Sequence, residues 1–172
     1  MPIKNRFAET HADITAWRRH LHTIPELQFD LPQTAAFVEE KLRSFGITDI
    51  TTGVAQSGIV AVIEGKTNAS GRSIGLRADM DALPITEATG LEYASKTPGK
   101  MHACGHDGHT AMLLGAAEHL ARYPDFDGTV VFIFQPAEEG DGGGREMVED
   151  GLFERFPMDA VFGLHNWPGL PA

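Results

Sequence analysis

Thr129-Val130-Val131-Phe132-Ile133-Phe134 is a continuous run of β-branched and aromatic residues, and it decides the fold. A run without polar alternation is typical of a strand that is covered on both faces of a sheet. Shorter apolar runs bounded by Gly, Ser or Asn predict further strands, and a last run predicts another buried strand. These runs span residues 47–52, 58–64, 73–78 and 159–164.

Helical patterns fill the segments between these strands. Apolar residues recur at helical spacing in residues 13–22, and Pro32 opens a second helix for which Gly46 is a natural stop. Residues 107–123 predict a long helix that is apolar over much of its surface, and residues 145–152 predict a short one. Strands that alternate with helices predict an α/β sandwich.

Composition and charge exclude several classes of protein. The chain has 172 residues, the size of one domain, and its formal net charge of −10 argues against a nucleic-acid or anionic-membrane surface. No stretch approaches the roughly 20 apolar residues of a membrane span. The first residues lack the apolar core of a secretory signal, and one cysteine cannot form an internal disulfide. We therefore expect a cytoplasmic protein.

The run Met101-His102-Ala103-Cys104-Gly105-His106-Asp107-Gly108-His109 holds the only cysteine and three of the eight histidines. Thiolate and imidazole are ligands that borderline-soft divalent metals prefer. A free cysteine is most often a small buried hydrophobe, but the flanking histidines favour a metal site over packing alone. A cysteine nucleophile paired with a histidine stays open. Because Cys104 lies just ahead of a predicted helix, we expect the helix terminus to favour its thiolate form.

Carboxylates and a histidine follow three of the predicted strands. Asp79 and Asp81 lie on one side of an extended segment, where one of them can orient a ligand histidine. Of Glu138 and Glu139, one can bind metal while the other acts as a general base toward bound water. His165 ends the last strand. Taken singly, the two aspartates are typical of turns, the two glutamates of a solvated loop, and the histidine of a protein surface. Their convergence with the cysteine run beyond the strand ends predicts one metal site.

Together these segments resemble the M20 metallopeptidase superfamily, most closely its amidohydrolase branch of hippurate hydrolases, N-acyl-amino-acid amidohydrolases and auxin-conjugate hydrolases. The resemblance implies a three-layer α/β/α sandwich with a mixed, largely parallel sheet, like the catalytic domain of zinc exopeptidases. The matching segments cover nearly the whole chain in the family order: W-R-R-H-L-H-T-I-P-E-L (17–27), G-L-R-A-D-M-D-A-L-P-I (75–85), H-A-C-G-H-D-G-H-T-A-M-L-L-G-A-A (102–117), F-Q-P-A-E-E-G (134–140) and G-L-H-N-W-P-G (163–169).

The resemblance also implies a site with two divalent metal ions. Its protein ligands would be Cys104, as the thiolate that bridges the metals, His106, Glu139 and His165. Glu138 would be the general base and acid, and Asp81 would support the metal site as a further catalytic residue. A metal-bridging hydroxide would attack the amide carbonyl of an N-acyl amino acid, either hippurate-like or a related aminoacyl conjugate. The expected ions are Mn²⁺ or Zn²⁺, with Co²⁺ and Ni²⁺ as alternatives.

Proteins of this family are usually more than twice as long as this chain. We therefore expect residues 1–172 to form part of a catalytic domain, without the lid and dimerisation domain and without the distal segment that carries a final histidine ligand. An exposed sheet edge would follow, and with it self-association into a homo-oligomer. The leading hypothesis is a metal-dependent amidohydrolase. Its alternative is an inactive fragment that binds metal or a partner without turnover.

Overall fold

The computed structural model describes residues 5–167 and 169. This part of the chain contains five helices and five strands. They are α1 (Asn5–Thr23), α2 (Pro32–Ser44), β1 (Ile50–Val54), β2 (Gly58–Glu64), β3 (Ser73–Asp79), α3 (His106–Arg122), β4 (Thr129–Gln135), α4 (Gly143–Glu149), α5 (Leu152–Arg155) and β5 (Ala160–Gly163). None of these helices is long and apolar enough to cross a membrane.

The strands form one mixed sheet in the order β1-β2-β4-β3-β5. β2 pairs antiparallel with both β1 and β4, whereas β3 pairs parallel with both β4 and β5. Parallel and antiparallel pairings are thus equal in number among the described strands. The run that decides the fold, residues 129–134, lies in the middle strand as predicted. The carboxyl ends of β3, β4 and β5 all point toward the same edge of the sheet.

Successive residues of β4 pack on opposite faces of the sheet, because side chains alternate along a strand. Phe132 and Phe134 belong to the cluster that α2 and α3 cover. Val131 and Ile133 belong to a second cluster, which contains Met147 of α4. Helices therefore cover both faces of the sheet, and the predicted three-layer α/β/α class is confirmed.

Two helix boundaries differ from the sequence predictions. α1 begins at Asn5 rather than at residue 13, and its Phe7 ring lies 5.0 Å from the ring of His119 on α3. This contact extends the packing of α1 along α3. The short helix predicted at residues 145–152 is divided into α4 and α5, since Gly151 adopts a φ of +82° between them.

The prediction of a buried strand at residues 159–164 is wrong about burial. β5 does form there, but it is exposed along its whole length, and Phe162 is 58% exposed. β5 is the edge strand and pairs only with β3 among the described strands. An apolar run forms a buried strand only where other elements cover it. The described residues do not cover this one.

Candidate metal centre

The carboxyl ends of β3, β4 and β5 meet the amino end of α3, and all six predicted site residues gather there. In an α/β sheet this edge is where ligands usually bind. Four segments carry the residues: Asp81 follows β3, Glu138 and Glu139 follow β4, His165 follows β5, and Cys104 and His106 lie at the start of α3.

Two overlapping groups of side chains place their potential ligand atoms within 4.8 Å of one another. One group is Cys104, His106 and Glu139, and the other is Asp79, His106, His109 and His165. His106 belongs to both groups. In addition, Cys104 Sγ lies 3.5 Å from His165 Nε2, so the groups are contiguous. This mixture of sulfur, imidazole and carboxylate donors suits ions such as Zn²⁺ or Mn²⁺.

Two buried atoms of the cluster, His106 Nε2 and Glu139 Oε1, have no hydrogen-bond partner among the described residues. They lie 3.8 Å apart. Buried polar atoms in native proteins almost always have a partner, so such a pair calls for an explanation. The other ring nitrogen of His106, Nδ1, lies 2.8 Å from the backbone oxygen of Asp81 and donates to it. Nε2 is then left with a lone pair that faces a carboxylate oxygen, and a cation satisfies both atoms.

Asp81 holds the Glu138-Glu139 segment through the backbone. Its Oδ1 accepts the N–H of Glu138 at 2.9 Å, and its Oδ2 accepts the N–H of Glu139 at 3.0 Å. Burial by itself would raise the pKa of Asp81, but hydrogen bonds from His106 and from these two N–H groups outweigh it and lower the pKa. Asp81 is therefore an ionised, buried anchor for the two glutamates.

The loop after β4 turns sharply to present these glutamates. Ala137 adopts a left-handed φ of +51°, and its N–H donates to the backbone oxygen of Gln28 at 3.1 Å. Gly143 approaches so closely that an added Cβ would lie 1.8 Å from the backbone oxygen of Pro136. No side chain fits there. Close backbone approach therefore explains the glycine at position 143.

Asp79 orients a histidine that the sequence did not identify as part of the site. Its Oδ1 accepts a hydrogen bond from His109 Nδ1 at 2.7 Å, and its Oδ2 accepts one from Arg77 Nη1 at 2.7 Å. Burial opposes ionisation of Asp79, but His109, His106 and Arg77 outweigh it and lower the pKa. The expectation that one aspartate orients a histidine thus describes Asp79 and His109.

The expectation that the helix terminus favours the Cys104 thiolate is wrong for the protein side chains by themselves. Burial, together with the nearby carboxylates Glu139, Glu138 and Asp79, raises the pKa of Cys104 to about 12. Carboxylates also act on His106, where Asp81 and Asp79 outweigh burial and raise the pKa. The negative field of these carboxylates also attracts a cation. A bound metal would favour the thiolate.

A second buried polar cluster supports the start of α3, and sequence reasoning missed it. His22 of α1 lies 2.7 Å from Asp107 Oδ2 through Nδ1, and 3.3 Å from Glu87 Oε1 through Nε2. Arg18 Nε also lies 2.8 Å from Asp107 Oδ2. The hydrogen bond with Asp107 raises the pKa of His22. The residue spacing of α1 does not predict that His22 pairs with a carboxylate 85 residues away. The available signal in the sequence was that Asp107 is adjacent to the predicted ligand His106.

His102, the first histidine of the cysteine run, lies beside this second cluster rather than in the metal group. It is 4% exposed, and neither ring nitrogen has a hydrogen-bond partner among the described residues. Burial lowers the pKa of His102 to about 4, so the ring is neutral near pH 7. The residues of the cysteine run therefore lie in two places. Cys104, His106 and His109 face the candidate centre. His102 faces His22, and the two ring centroids are 6.3 Å apart.

Proteins of known function resemble this chain over most of its length. It is 52% identical over 151 residues to the hippurate hydrolase of Campylobacter jejuni, a match that covers 88% of this chain and 38% of that protein. It is 48% identical over 170 residues to the N-acyl-L-amino acid amidohydrolase of Geobacillus stearothermophilus, covering 98% of this chain and 45% of that protein. The chain thus spans less than half the length of either relative.

A solved structure has the same fold. The Bacillus subtilis YXEP protein, described as a dinuclear metal binding peptidase from the M20 family, superposes with a TM-score of 0.87 at 43% sequence identity. The match covers 95% of this chain and 45% of that one. Residues 75–172, more than half of the chain, match the description "Peptidase family M20/M25/M40". The chain therefore belongs to peptidase family M20/M25/M40.

Proposed function

We propose that this chain supplies a two-metal centre of an amidohydrolase that cleaves the amide bond of N-acyl amino acids. The observation that carries the proposal is that His106 Nε2 and Glu139 Oε1, 3.8 Å apart beside Cys104, have no hydrogen-bond partner among the described residues. The substrate class is supported by the relatives, which are a hippurate hydrolase and an N-acyl-L-amino acid amidohydrolase. The dinuclear metal binding of the Bacillus subtilis protein supports the number of ions.

Four residues would hold the ions: Cys104, His106, Glu139 and His165. When bound, divalent ions lower the pKa of water toward neutrality and polarise a carbonyl oxygen. Either Mn²⁺ or Zn²⁺ fits these donors, and Co²⁺ and Ni²⁺ are the alternatives. Asp81 acts through the backbone, since its carboxylate fixes the Glu138-Glu139 segment.

Glu138 would move the proton. Its side chain is 38% exposed and its Oε2 lies 3.8 Å from His106 Nε2, so the carboxylate borders both the cluster and solvent. It would take a proton from water as the new carbon–oxygen bond forms, and give it to the amide nitrogen as the carbon–nitrogen bond breaks. The products are a carboxylic acid and a free amino acid.

A cysteine hydrolase is the less favoured alternative. His165 Nε2 lies 3.5 Å from Cys104 Sγ, as a Cys/His pair requires. However, burial and Glu139 raise the pKa of Cys104 to about 12, which is the opposite of an activated nucleophile. A cysteine enzyme would be inhibited by thiol alkylation and unaffected by chelators, whereas a metal enzyme would lose activity to chelators.

The test is hydrolysis of N-benzoyl- and N-acetyl-amino acids by the full 172-residue chain, with Mn²⁺, Zn²⁺, Co²⁺ or Ni²⁺ added and free amine measured. Glu138→Gln should lower the rate by roughly 10²- to 10⁴-fold and leave metal affinity, measured by calorimetry, unchanged. Glu149→Gln on α4 is a matched control. A folded, metal-loaded chain without turnover would contradict the proposal for this chain and support the inactive, metal-binding fragment.

We propose three further properties of the protein, each with its own test. The first is that residues 1–172 form part of a catalytic domain, and the intact mass of the gene product tests it. Self-association along the exposed edge of β5 is tested by sedimentation. A cytoplasmic location is tested by fractionation of the cells that make the protein.

A further inference from the structure

Asn166 follows the predicted ligand His165 and makes two contacts with His109 of α3. The backbone N–H of Asn166 donates to His109 Nε2 at 3.1 Å, and the side-chain amide of Asn166 lies against the same nitrogen, with Oδ1 2.7 Å away. Both His165 and Asn166 are exposed residues beyond the edge strand β5. The ring of a buried helix residue thus holds a segment that its own strand leaves exposed.

The absence of a side chain at Gly105 leaves room for the Asn166 side chain. A Cβ at position 105 would lie 2.1 Å from Asn166 Oδ1, a distance that excludes any side chain. Gly105 separates Cys104 from His106, so Asn166 is seated directly over the backbone that joins two predicted ligands. The glycine at this position is explained by close approach as well as by its φ of +101°.

His109 is itself fixed from the opposite side. Its Nδ1 donates to Asp79 at 2.7 Å, and Arg77 holds the other oxygen of that carboxylate at 2.7 Å. The next residue, Thr110, donates its hydroxyl to the backbone oxygen of Asp79 at 2.9 Å. The contacts Arg77–Asp79–His109–Asn166 therefore run from the end of β3 to the end of β5.

We propose that Asn166, seated on Gly105 and bonded to His109, is a positioning residue that fixes His165 against the start of α3. The proposal rests on the proposed function, because it assigns a role in assembling that metal centre. His165 Nε2 and Cys104 Sγ are 3.5 Å apart although 61 residues separate them in sequence. The Asn166 contacts set this distance, so they set the affinity of the centre for metal.

The test is a Cd²⁺ titration of the full chain, followed by the ultraviolet charge-transfer band of sulfur bound to Cd²⁺, with affinity from calorimetry. Removing a group that orients ligands typically weakens metal binding by about 10- to 100-fold. Asn166→Ala and His109→Ala should each weaken binding by that factor. Both variants remove the contact between the Asn166 side chain and His109, so the double variant should be little weaker than His109→Ala alone. Asn68→Ala, an exposed loop asparagine at the other end of the sheet, is the control.

The outcomes separate the two proposals. An unmodified chain that binds Cd²⁺ without the band, or not at all, would overturn the metal centre and the positioning role with it. A normal band with unchanged affinity in Asn166→Ala would overturn the positioning role alone. Fully additive losses in the double variant would also overturn it, since His109 would then act as a ligand in its own right. The urea midpoint of Asn166→Ala should stay at that of the unmodified chain, because Asn166 is exposed.

Discussion

Replacing Asp81 with Asn should destabilise the fold and displace the two glutamates of the candidate centre. The carboxylate is 1% exposed and accepts one backbone N–H on each oxygen, at 2.9 and 3.0 Å. In Asp81→Asn, one acceptor becomes an NH₂ group that points at a backbone N–H. One charge-assisted hydrogen bond is lost and a buried donor is left without a partner.

The structure gives the size of this effect. A hydrogen bond to a charged group contributes about 1.5–3 kcal/mol, and a buried unsatisfied donor costs about 1–3 kcal/mol. The two terms overlap, since both describe the same N–H, so we expect a loss of about 3 kcal/mol at pH 7. With a urea m-value of about 2 kcal/mol/M, the unfolding midpoint should fall by about 1.5 M.

The difference between Asp81→Asn and the unmodified chain should depend on pH. Hydrogen bonds lower the pKa of Asp81 in the folded protein against burial, so its ionised form stabilises the fold. That stability is fully present above the unfolded pKa of about 3.9 and is lost as pH falls through the lower folded value. The urea midpoints of the two proteins should therefore converge as the pH falls below about 4.

Asp127→Asn is the matched control, because that carboxylate also accepts two backbone N–H groups, from Ala69 at 2.8 Å and Ser70 at 3.0 Å. Asp127 is exposed, so water replaces the lost acceptor and the midpoint should hardly move. Equal losses in Asp81→Asn and Asp127→Asn would refute the argument from burial. A loss in Asp81→Asn that stays constant from pH 7 to below about pH 4 would refute the ionised anchor.

Three other variants test the core, the second cluster and the metal ligand. Phe132→Ala, at a fully buried position, should lower the free energy of unfolding by about 3–5 kcal/mol in urea titrations, and a loss under about 1 kcal/mol would contradict the central place of β4. The raised pKa of His22 means that its protonated ring stabilises the fold fully below pH 6.5 and loses this effect as pH rises through the folded value. His22→Gln should therefore cost more stability near pH 6 than near pH 9, and an equal cost at both would contradict the ion pair with Asp107. Cys104→Ser should abolish the Cd²⁺ charge-transfer band while the chain stays folded, and a surviving band would exclude Cys104 as a ligand.

The architecture could be predicted from the sequence where local pattern and tertiary environment agree. Residues 129–134 are β-branched or aromatic at every position, and β4 is covered on both faces, so pattern and burial coincide. Residues 160–164 are also an apolar run, but β5 occupies the edge of the sheet and is exposed. Strand order is a property of the whole sheet, and it decides which apolar run is buried.

The candidate site was predictable to the extent that its chemistry lies in residue type. Sulfur, imidazole and paired carboxylates at strand ends predicted a cluster, and the structure brings the six predicted residues together. The contacts that hold them were not predictable, because they pair residues far apart in sequence. His109 meets Asn166 across 57 residues, and His22 meets Asp107 across 85. The charge state of Cys104 was missed for the same reason: carboxylates from other segments outweigh the helix terminus.

The end of β3 is the part of the fold on which the candidate centre depends most. In the sheet, β3 lies between β4 and β5, so side chains leaving its carboxyl end can reach both neighbours. Asp81 reaches toward β4 and holds the Glu138-Glu139 backbone, while its own carbonyl oxygen orients His106. Asp79 reaches the opposite way, through His109, to the segment after β5. The spacing Asp-x-Asp therefore joins three ligand-bearing segments to one strand, and sheet order explains why both carboxylates are needed there.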